Sequence, residues 1–281
     1  MATYQSVQTT TFASASSVIV SKPVSLAIGD TMIAQVTHAS TSGIPSSFTI
    51  PSGWDSLANV VSTGSISDKV RTQVLFKNAD SADVAASNFT FSLSSGSGFV
   101  AGAIARLTDC GIVSGSATKI QDDAVTSPIT FAGFTPTRSN NLLMMFAATY
   151  GTAGSIGSFS GYGVTTSNPT WTERYDLNNG TNRSAMALAT ASRPENTATG
   201  TVTISAVIPN DGDTVVVLIA LSDKVNGSVT PTTEINAYAF TGIQSAKINA
   251  ITEDASVSES YPTIWTNEAK PTATTWTNQD K

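Results

Sequence analysis

The chain has 281 residues, of which 12% are charged and 40% are hydrophobic, and its formal net charge is −6. The charged fraction is about half of the usual value for globular proteins, and no basic stripe is present, which argues against nucleic acid as a partner. The single cysteine, Cys110, excludes an internal disulfide framework. Threonine and valine favour strands, and glycine, asparagine and serine favour turns, so the composition is typical of an all-β protein.

The beginning of the sequence, MATYQSVQTTTF, has neither the basic region nor the apolar region of a signal peptide. No apolar run approaches the roughly 20 residues that a membrane helix needs. We therefore expect synthesis in a cytoplasm and no insertion into a membrane.

The first half of the chain contains a series of short predicted strands. In chain order they are SVIVSKP (17–23), GDTMIAQVTH (29–38), PSGWDSLANV (51–60), VRTQVLFKNA (70–79), NFTFSLSS (88–95) and FVAGAIARLTD (99–109). Apolar and polar side chains alternate in NFTFSLSS, which is the pattern of a strand with one buried face. Turn-forming residues separate the segments.

The second half repeats this order of segments, which indicates an internal duplication. Its segments are SPITFAGFTP (127–136), NNLLMMFAATY (140–150), NPTWTERYDL (168–177), NRSAMALATA (182–191), GTVTISAV (200–207) and DTVVVLIALSD (213–223). The repeat puts Trp171 in the place of Trp54 and Arg183 in the place of Arg71. DTVVVLIAL is apolar on both faces, so it is predicted to be a central strand covered on both sides.

Short strands at this regular spacing, without an amphipathic helix, predict an all-β fold: a duplicated antiparallel β-sandwich, jelly-roll-like, with an extended C-terminal arm. The predicted domains are a first sandwich repeat (1–115), a second sandwich repeat (116–224) and the arm (225–281). Two separate sandwiches and one fused pseudo-symmetric body both fit this pattern.

Side chains that could support catalysis or hold a metal are few. The one histidine, His38, ends a predicted strand and is interpreted as solvated or loop-capping, whereas Cys110 is interpreted as a small buried hydrophobe. Adjacent acids such as Asp122 and Asp123 lack the separation across a sugar cleft that glycosidases use. Phosphate-loop and dinucleotide motifs are also missing from the sequence. We therefore expect no enzymatic activity, no cofactor and no metal site.

The tryptophans of the two repeats allow two interpretations. At equivalent positions, Trp54 and Trp171 are expected to anchor the core of each sandwich. The alternative is a platform that stacks on carbohydrate, in which Trp54, Tyr162, Trp171 and Tyr175 contact a glycan or receptor.

Two similar hexapeptides, WTNEAK (265–270) and WTNQDK (276–281), follow the second repeat. Threonine favours extended chain, and each tryptophan offers a large apolar anchor with an indole donor. Two such docking motifs on one arm raise affinity through effective concentration. The predicted docking residues are Trp265, Asn267, Lys270, Trp276, Asn278 and Lys281. Packing of the arm on its own sandwich remains the alternative.

The first repeat, GDTMIAQVTH…IPSGWDSLANV…VRTQVLFKNAD…FTFSLSSGSGFVAGAIARLTD, resembles a β-sandwich module of structural proteins of tailed bacteriophages. The shared pattern is a Gly-Asp-led apolar strand, Pro-x-Gly-Trp, an arginine-containing strand and a closing strand rich in alanine and glycine. The second repeat is similar, but Asn140-Asn141 replaces Gly29-Asp30, and Pro169-Thr-Trp lacks the glycine. WTNEAK and WTNQDK are similar to tryptophan-asparagine repeats at the C-termini of virion proteins.

This resemblance implies a non-enzymatic structural component of a virion, assembled in the host cytoplasm, whose partners are other virion proteins and copies of itself. A position in the tail, baseplate or fibre is expected first, with capsid (head) decoration as the alternative. A module that binds a host-surface glycan or receptor is the second interpretation, and a glycan hydrolase is the third.

Overall fold

The computed structural model describes residues 1–64, 69–121, 127–151, 158–179, 184–206 and 212–224. Residues 1–224 form one compact unit. The regular elements of the described residues are strands in antiparallel sheets, apart from one short helix, so the predicted all-β sandwich class is confirmed. The predicted arm, residues 225–281, lies outside the described residues.

The first half builds one large and one small sheet. Its described elements are β1 (Thr3–Ala15), β2 (Ser17–Ser21), β3 (Thr31–Ser40), β4 (Asp55–Val61), β5 (Lys69–Asn78), α1 (Ser81–Ala85), β6 (Asn88–Ser92) and β7 (Gly98–Thr108). The large sheet has the order β1-β7-β3-β5-β4, and β2 pairs with β6 in the small sheet. A single bridge between Phe48 and Leu93 extends the small sheet by one short segment.

The second half builds the same pair of sheets. Its described strands are β8 (Cys110–Gln121), β9 (Ile129–Ala132), β10 (Asn141–Tyr150), β11 (Phe159–Val164), β12 (Thr172–Asn179), β13 (Ser184–Arg193), β14 (Thr201–Ala206) and β15 (Asp213–Asp223). Read from β8, the large sheet has the order β8-β15-β10-β13-β12, which is the order of the first half strand for strand. The small sheet is β9-β14-β11, in which β11 takes the place of the Phe48 segment.

The register of the two large sheets gives the equivalent residues of the two halves. Leu107 lies opposite Thr31, and Leu221 lies opposite Leu142, so Gly29 corresponds to Asn140. Both Gly29 and Asn140 have left-handed backbone, with φ of 84° and 56°. Glycine and asparagine are residues that tolerate this conformation, which explains why asparagine can replace glycine here.

The edge strands of the two large sheets carry the same irregularity. The pairing of β4 with β5 skips Leu57, and the pairing of β12 with β13 skips Arg174. Each skipped residue is a β-bulge that stands three positions after a tryptophan, Trp54 or Trp171. A bulge breaks the regular alternation of side chains, so it can direct an extra side chain towards one face.

Four layers pack into one fused body, because the two large sheets face each other and each small sheet covers an outer face. Ile33 of β3 shares a central core with Met144 and Phe146 of β10. On the opposite face of β3, Met32 packs towards the small sheet of the first half. On the opposite face of β10, Met145 packs towards the small sheet of the second half. Strand β15 is buried on both faces, as its apolar sequence predicts.

A polar cluster at the centre links the two large sheets. The Nε2 atom of Gln35 donates to the carbonyl oxygen of Ala147 at 3.0 Å and to Oγ1 of Thr72 at 3.1 Å. The hydroxyl of Tyr175 donates to Oε1 of Gln35 at 2.5 Å. The Gln35 side chain is fully buried, and these bonds satisfy its polar atoms, which offsets the cost of removing them from water.

Two long strands were not predicted from the sequence. In β1 (TYQSVQTTTFASA) and β8 (CGIVSGSATKIQ), small and polar residues dominate, because both are edge strands. The boundary expected between residues 115 and 116 lies inside β8, which pairs with β15 of the second half. The short helix α1 was also missed, although Asp80 and Asp83 form its capping box.

The sequence repeat predicts that Arg183 occupies the position of Arg71, but the strand registers of the two large sheets place another residue there. Arg71 lies opposite His38, and the corresponding pair in the second half is Ala185 opposite Thr149. Ala185 therefore occupies the position of Arg71. Arg183 itself lies outside the described residues.

Candidate functional site

A cleft of about 660 Å³ lies where the start of β1 meets the ends of β12 and β13. We call it the arginine cleft, and the lining residues that define it here are Tyr4, Thr172, Arg174, Thr190, Ser192 and Arg193. Strand β12 begins opposite Thr190, so the last residues of β13 run past its end. The β13 residues that extend beyond β12, Ala191 to Arg193, are among those that line the cleft.

The bulge in β12 positions Arg174. Its Nε atom donates to Oγ1 of Thr190 at 2.7 Å, and its guanidinium carbon lies 4.0 Å from the centre of the Tyr4 ring. A guanidinium that contacts an aromatic face and also donates a hydrogen bond is restricted in its orientation. Burial raises the pKa of Tyr4, and the charge of Arg174 partly opposes this shift.

Arg193 forms part of the cleft wall and is fully buried, with 0% of its surface exposed. Its Nη2 atom donates to Oγ1 of Thr197 at 3.0 Å and to the carbonyl oxygen of Ala198 at 2.9 Å. Its Nε and Nη1 atoms have no hydrogen-bond partner among the described residues. Burial lowers the pKa of Arg193, whereas the carboxylate of Glu195 raises it.

The first half is apolar at the positions that correspond to this cleft. Leu57 stands in the place of Arg174, and Phe76 stands in the place of Thr190. Both residues pack against the central core. The cationic character of the cleft is therefore specific to the second half.

An aromatic pair adjoins the arginine cleft. The rings of Tyr162 and Trp171 are stacked, with centroids 6.3 Å apart and planes inclined by 28°. Asn168, which lines the cleft, accepts hydrogen bonds from Nε1 of Trp171 at 3.1 Å and from the backbone N–H of Val164 at 3.0 Å. Asn168 thus connects the pair to the cleft.

Two carboxyl groups lie near the hydroxyl of Tyr162. Burial raises the pKa of Asp176, although the backbone N–H of Phe159 donates to its Oδ2 at 2.8 Å and lowers the pKa. Burial and the neighbouring Asp176 raise the pKa of Glu173. Burial raises the pKa of Tyr162, and both carboxylates add to the shift. The hydroxyl of Tyr162 therefore stays protonated and can donate hydrogen bonds over a wide range of pH.

The four predicted glycan or receptor contacts do not form one surface. Trp54 is 6% exposed and packs edge-to-face on Phe89 and Phe91 inside the first half. Tyr175 is 8% exposed and belongs to the central core. Only Tyr162 and Trp171 of the four lie together, and both are half-buried and pack against the core of the second half. The six predicted docking residues of the arm lie outside the described residues.

The histidine and the cysteine are both buried. His38 is 3% exposed, so the solvated interpretation is wrong. Its Nδ1 atom bonds to the carbonyl oxygen of Ser46 at 3.0 Å, which agrees with the loop-capping interpretation. Cys110 is 2% exposed, as expected for a small buried hydrophobe, and burial raises its pKa to about 11.

The sequence analysis did not identify Arg174, Arg193, Tyr4 or Thr190 as site residues. A signal was present for Arg174, because aligning the two repeats on Trp54 and Trp171 places an arginine opposite Leu57. No such signal pointed to Tyr4, since β1 was not predicted to be a strand.

Comparisons with known proteins assign no identity: no protein-family model, curated protein or solved structure matches the chain. Within the described part of the chain, no helix is long and apolar enough to cross a membrane. The same residues contain no group of three or more His, Cys, Asp and Glu side chains arranged to hold a metal ion.

Proposed function

We propose that the chain is a non-enzymatic structural component of a tailed-phage virion, attached to neighbouring subunits through its C-terminal arm. The tail, baseplate or fibre is the favoured location, and head decoration is the alternative. The observation that carries the proposal is the fused four-layer body, in which both repeats share one central core. A body of this kind is a rigid platform for assembly, since neither half can move without exposing that core.

The placement of the reactive side chains supports a binding function over a catalytic one. His38 and Cys110 are buried in packed interiors, where a substrate has no access to them. A buried thiol whose pKa is raised to about 11 is a poor nucleophile near neutral pH.

The arm supplies the attachment in this proposal. WTNEAK and WTNQDK each offer one tryptophan as an apolar anchor. The partners are other virion proteins and further copies of the chain. Because each motif repeats the same contact, loss of both tryptophans should abolish attachment while the body keeps its stability.

The test is incorporation of variants into tailed particles of the phage that encodes the chain, measured by mass spectrometry of purified particles. We expect the wild-type chain in the particles and the double variant Trp265→Ala/Trp276→Ala to be absent from them. The control is Tyr238→Ala/Tyr261→Ala, which removes two aromatic side chains of the arm outside the hexapeptides. Absence of the wild-type chain would refute the virion function, whereas unchanged incorporation of the tryptophan variant would refute docking through the arm.

A module that binds a host-surface glycan or receptor is the second candidate. It is favoured by the stacked Tyr162–Trp171 pair beside the arginine cleft, because aromatic faces stack on sugar rings.

A further inference from the structure

The arginine cleft carries positive charge that the described residues do not neutralise. The four ion pairs among these residues include neither Arg174 nor Arg193. Glu195 is the one carboxylate among the residues that line the cleft, so two guanidinium groups face one acid. This local excess stands out in a chain whose net charge is −6.

Arg174 is arranged to present its terminal nitrogens. Its Nε atom donates a hydrogen bond to Oγ1 of Thr190, and its guanidinium carbon lies over the Tyr4 ring. No described residue accepts a hydrogen bond from its Nη atoms, and the side chain is partly exposed. A guanidinium fixed in this way has lost part of its conformational entropy before binding, and its planar fork matches a carboxylate.

Arg193 adds positive charge from within the wall of the cleft. Its Nε and Nη1 atoms are shielded from solvent and have no described partner, so we assign it an electrostatic role and no direct contact. Glu195 is near enough to raise the pKa of Arg193 but forms no direct ion pair with it, and a buried cation without a direct ion pair is costly. An anion in the cleft would lower this cost and would gain affinity from it.

The remaining polar groups of the cleft suit hydroxyls. Thr170, Thr172 and Ser192 place exposed hydroxyl groups in the lining, and Asn168 places an amide there. Hydroxyl and amide groups both donate and accept hydrogen bonds, as sugar hydroxyls do. The volume of about 660 Å³ lies within the usual range of small-molecule pockets.

We propose that the arginine cleft binds a sugar acid, a small hydroxylated carboxylate, with the carboxylate on the Nη atoms of Arg174 and the ring hydroxyls on the threonine, serine and asparagine side chains. This binding is independent of the arm, and it gives the body a ligand of its own. The sugar acid can be free or can be one residue of an acidic polysaccharide.

The first experiment is calorimetric titration of the full-length protein with D-glucuronate, with D-glucose as the neutral control and sulfate as the plain-anion control. We expect saturable binding of D-glucuronate that is at least about tenfold tighter than that of either control, because charge-assisted and neutral hydrogen bonds act together. Equal binding of sulfate would overturn the sugar assignment, and equal binding of D-glucose would overturn the carboxylate assignment. Absence of saturable binding would overturn the proposal.

The matched variant is Arg174→Leu, which gives the second half the residue that Leu57 provides in the first. We expect its affinity for D-glucuronate to fall about tenfold or more, since the main charge-assisted contact is lost. The control is Arg138→Leu, which removes the same charge from outside the cleft lining and should leave the affinity unchanged. Equal weakening by both variants would indicate general electrostatics and would overturn the site.

A second variant keeps the test decisive if Arg174→Leu fails to fold. Thr190→Val retains the shape of the side chain and removes the hydrogen bond that orients Arg174, so affinity should fall by a smaller factor. An unchanged affinity in Thr190→Val would overturn the proposed role of the fixed guanidinium.

Titration with a glucuronate-containing oligosaccharide distinguishes a free sugar acid from a residue of an acidic polysaccharide. Tighter binding than that of the monosaccharide supports a polysaccharide, and weaker binding supports a free sugar acid.

Discussion

The two halves of the body share one strand order, yet they differ in chemistry at corresponding ends of the central core. Leu57 and Phe76 pack as apolar residues in the first half, whereas Arg174 and Thr190 border an open cleft in the second. The register and the bulge are the same in both cases. A bulge on an edge strand is therefore a position where the side chain can change its chemistry while the sheet keeps its pairing.

At the middle of the central core the difference in polarity between the two halves is reversed. Gln35 of β3 and Phe146 of β10 occupy equivalent positions, so here the first half is polar and the second is apolar. The partners of Gln35 include Tyr175 and the carbonyl oxygen of Ala147, both from the second half. Each half thus provides groups that the other needs, which joins the two repeats into one cooperative structure.

The largest expected effect comes from Phe146→Ala. Phe146 is 1% exposed in the central core, and truncation of a buried phenylalanine costs about 3–5 kcal/mol through lost transfer free energy and a cavity. Since the core contains both halves, the body should still unfold in one transition. Denaturant unfolding followed by circular dichroism and tryptophan fluorescence measures both quantities.

The control for this variant is Ile19→Ala on the outer face of β2, where the side chain is 53% exposed. It should change the free energy of unfolding by about 0.5 kcal/mol or less. Two separate transitions, with Phe146→Ala affecting only one, would mean that the halves are independent sandwiches.

The next effect comes from the Gln35–Tyr175 hydrogen bond. Gln35→Leu leaves the buried hydroxyl of Tyr175 without this partner and should cost about 1–3 kcal/mol. Tyr175→Phe should cost less, because Gln35 keeps its bonds to Thr72 and Ala147. The double variant should be more stable than the sum of the single losses predicts. Additive losses in thermal or denaturant unfolding would show that this bond does not couple the halves.

A smaller effect on stability is expected from substitutions of Gly29 and Asn140, the two corresponding residues with left-handed backbone. Gly29→Ala should destabilise the body by about 1 kcal/mol, because alanine disfavours positive φ. The space itself is not limiting, since an added Cβ would lie 3.8 Å from Nζ of Lys224. Asn140→Gly should be nearly neutral, as glycine adopts the same conformation freely. Equal losses in the melting temperatures of both variants would show that the positive φ does not decide the cost of these substitutions.

The sequence allowed the fold class and the duplication to be predicted, because turn residues and apolar segments recur in the same order. It did not reveal β1 or β8, whose weak apolar pattern reflects one-sided packing at a sheet edge. The arginine cleft depends on Tyr4 and Arg174, which are 170 residues apart and meet only because β1 packs beside β12. Such a meeting follows from the stacking of two sheets, and no local pattern encodes it.

The smallest effect concerns pH and His38, whose counterpart in β10 is Thr149, a residue that does not titrate. Burial lowers the pKa of His38, the carbonyl of Ser46 raises it, and Arg71 lowers it. Gly98 leaves room for the ring, because a Cβ there would lie 2.2 Å from Nε2. The charged form of His38 is therefore disfavoured in the folded state.

The sign of the pH dependence follows from this depressed pKa. As pH falls below about 6.5, the unfolded chain binds a proton on His38 before the folded chain does, so this residue lowers stability progressively as pH falls towards the folded pKa. His38→Asn keeps a donor for the Ser46 carbonyl and cannot titrate. Its melting temperature should be lower at pH 7.5, but the gap to wild type should narrow by pH 5.5. A difference in melting temperature that stays constant over this range would show that His38 has the same pKa in the folded and unfolded states. The first half would then be as insensitive to pH at this position as the second half is at Thr149.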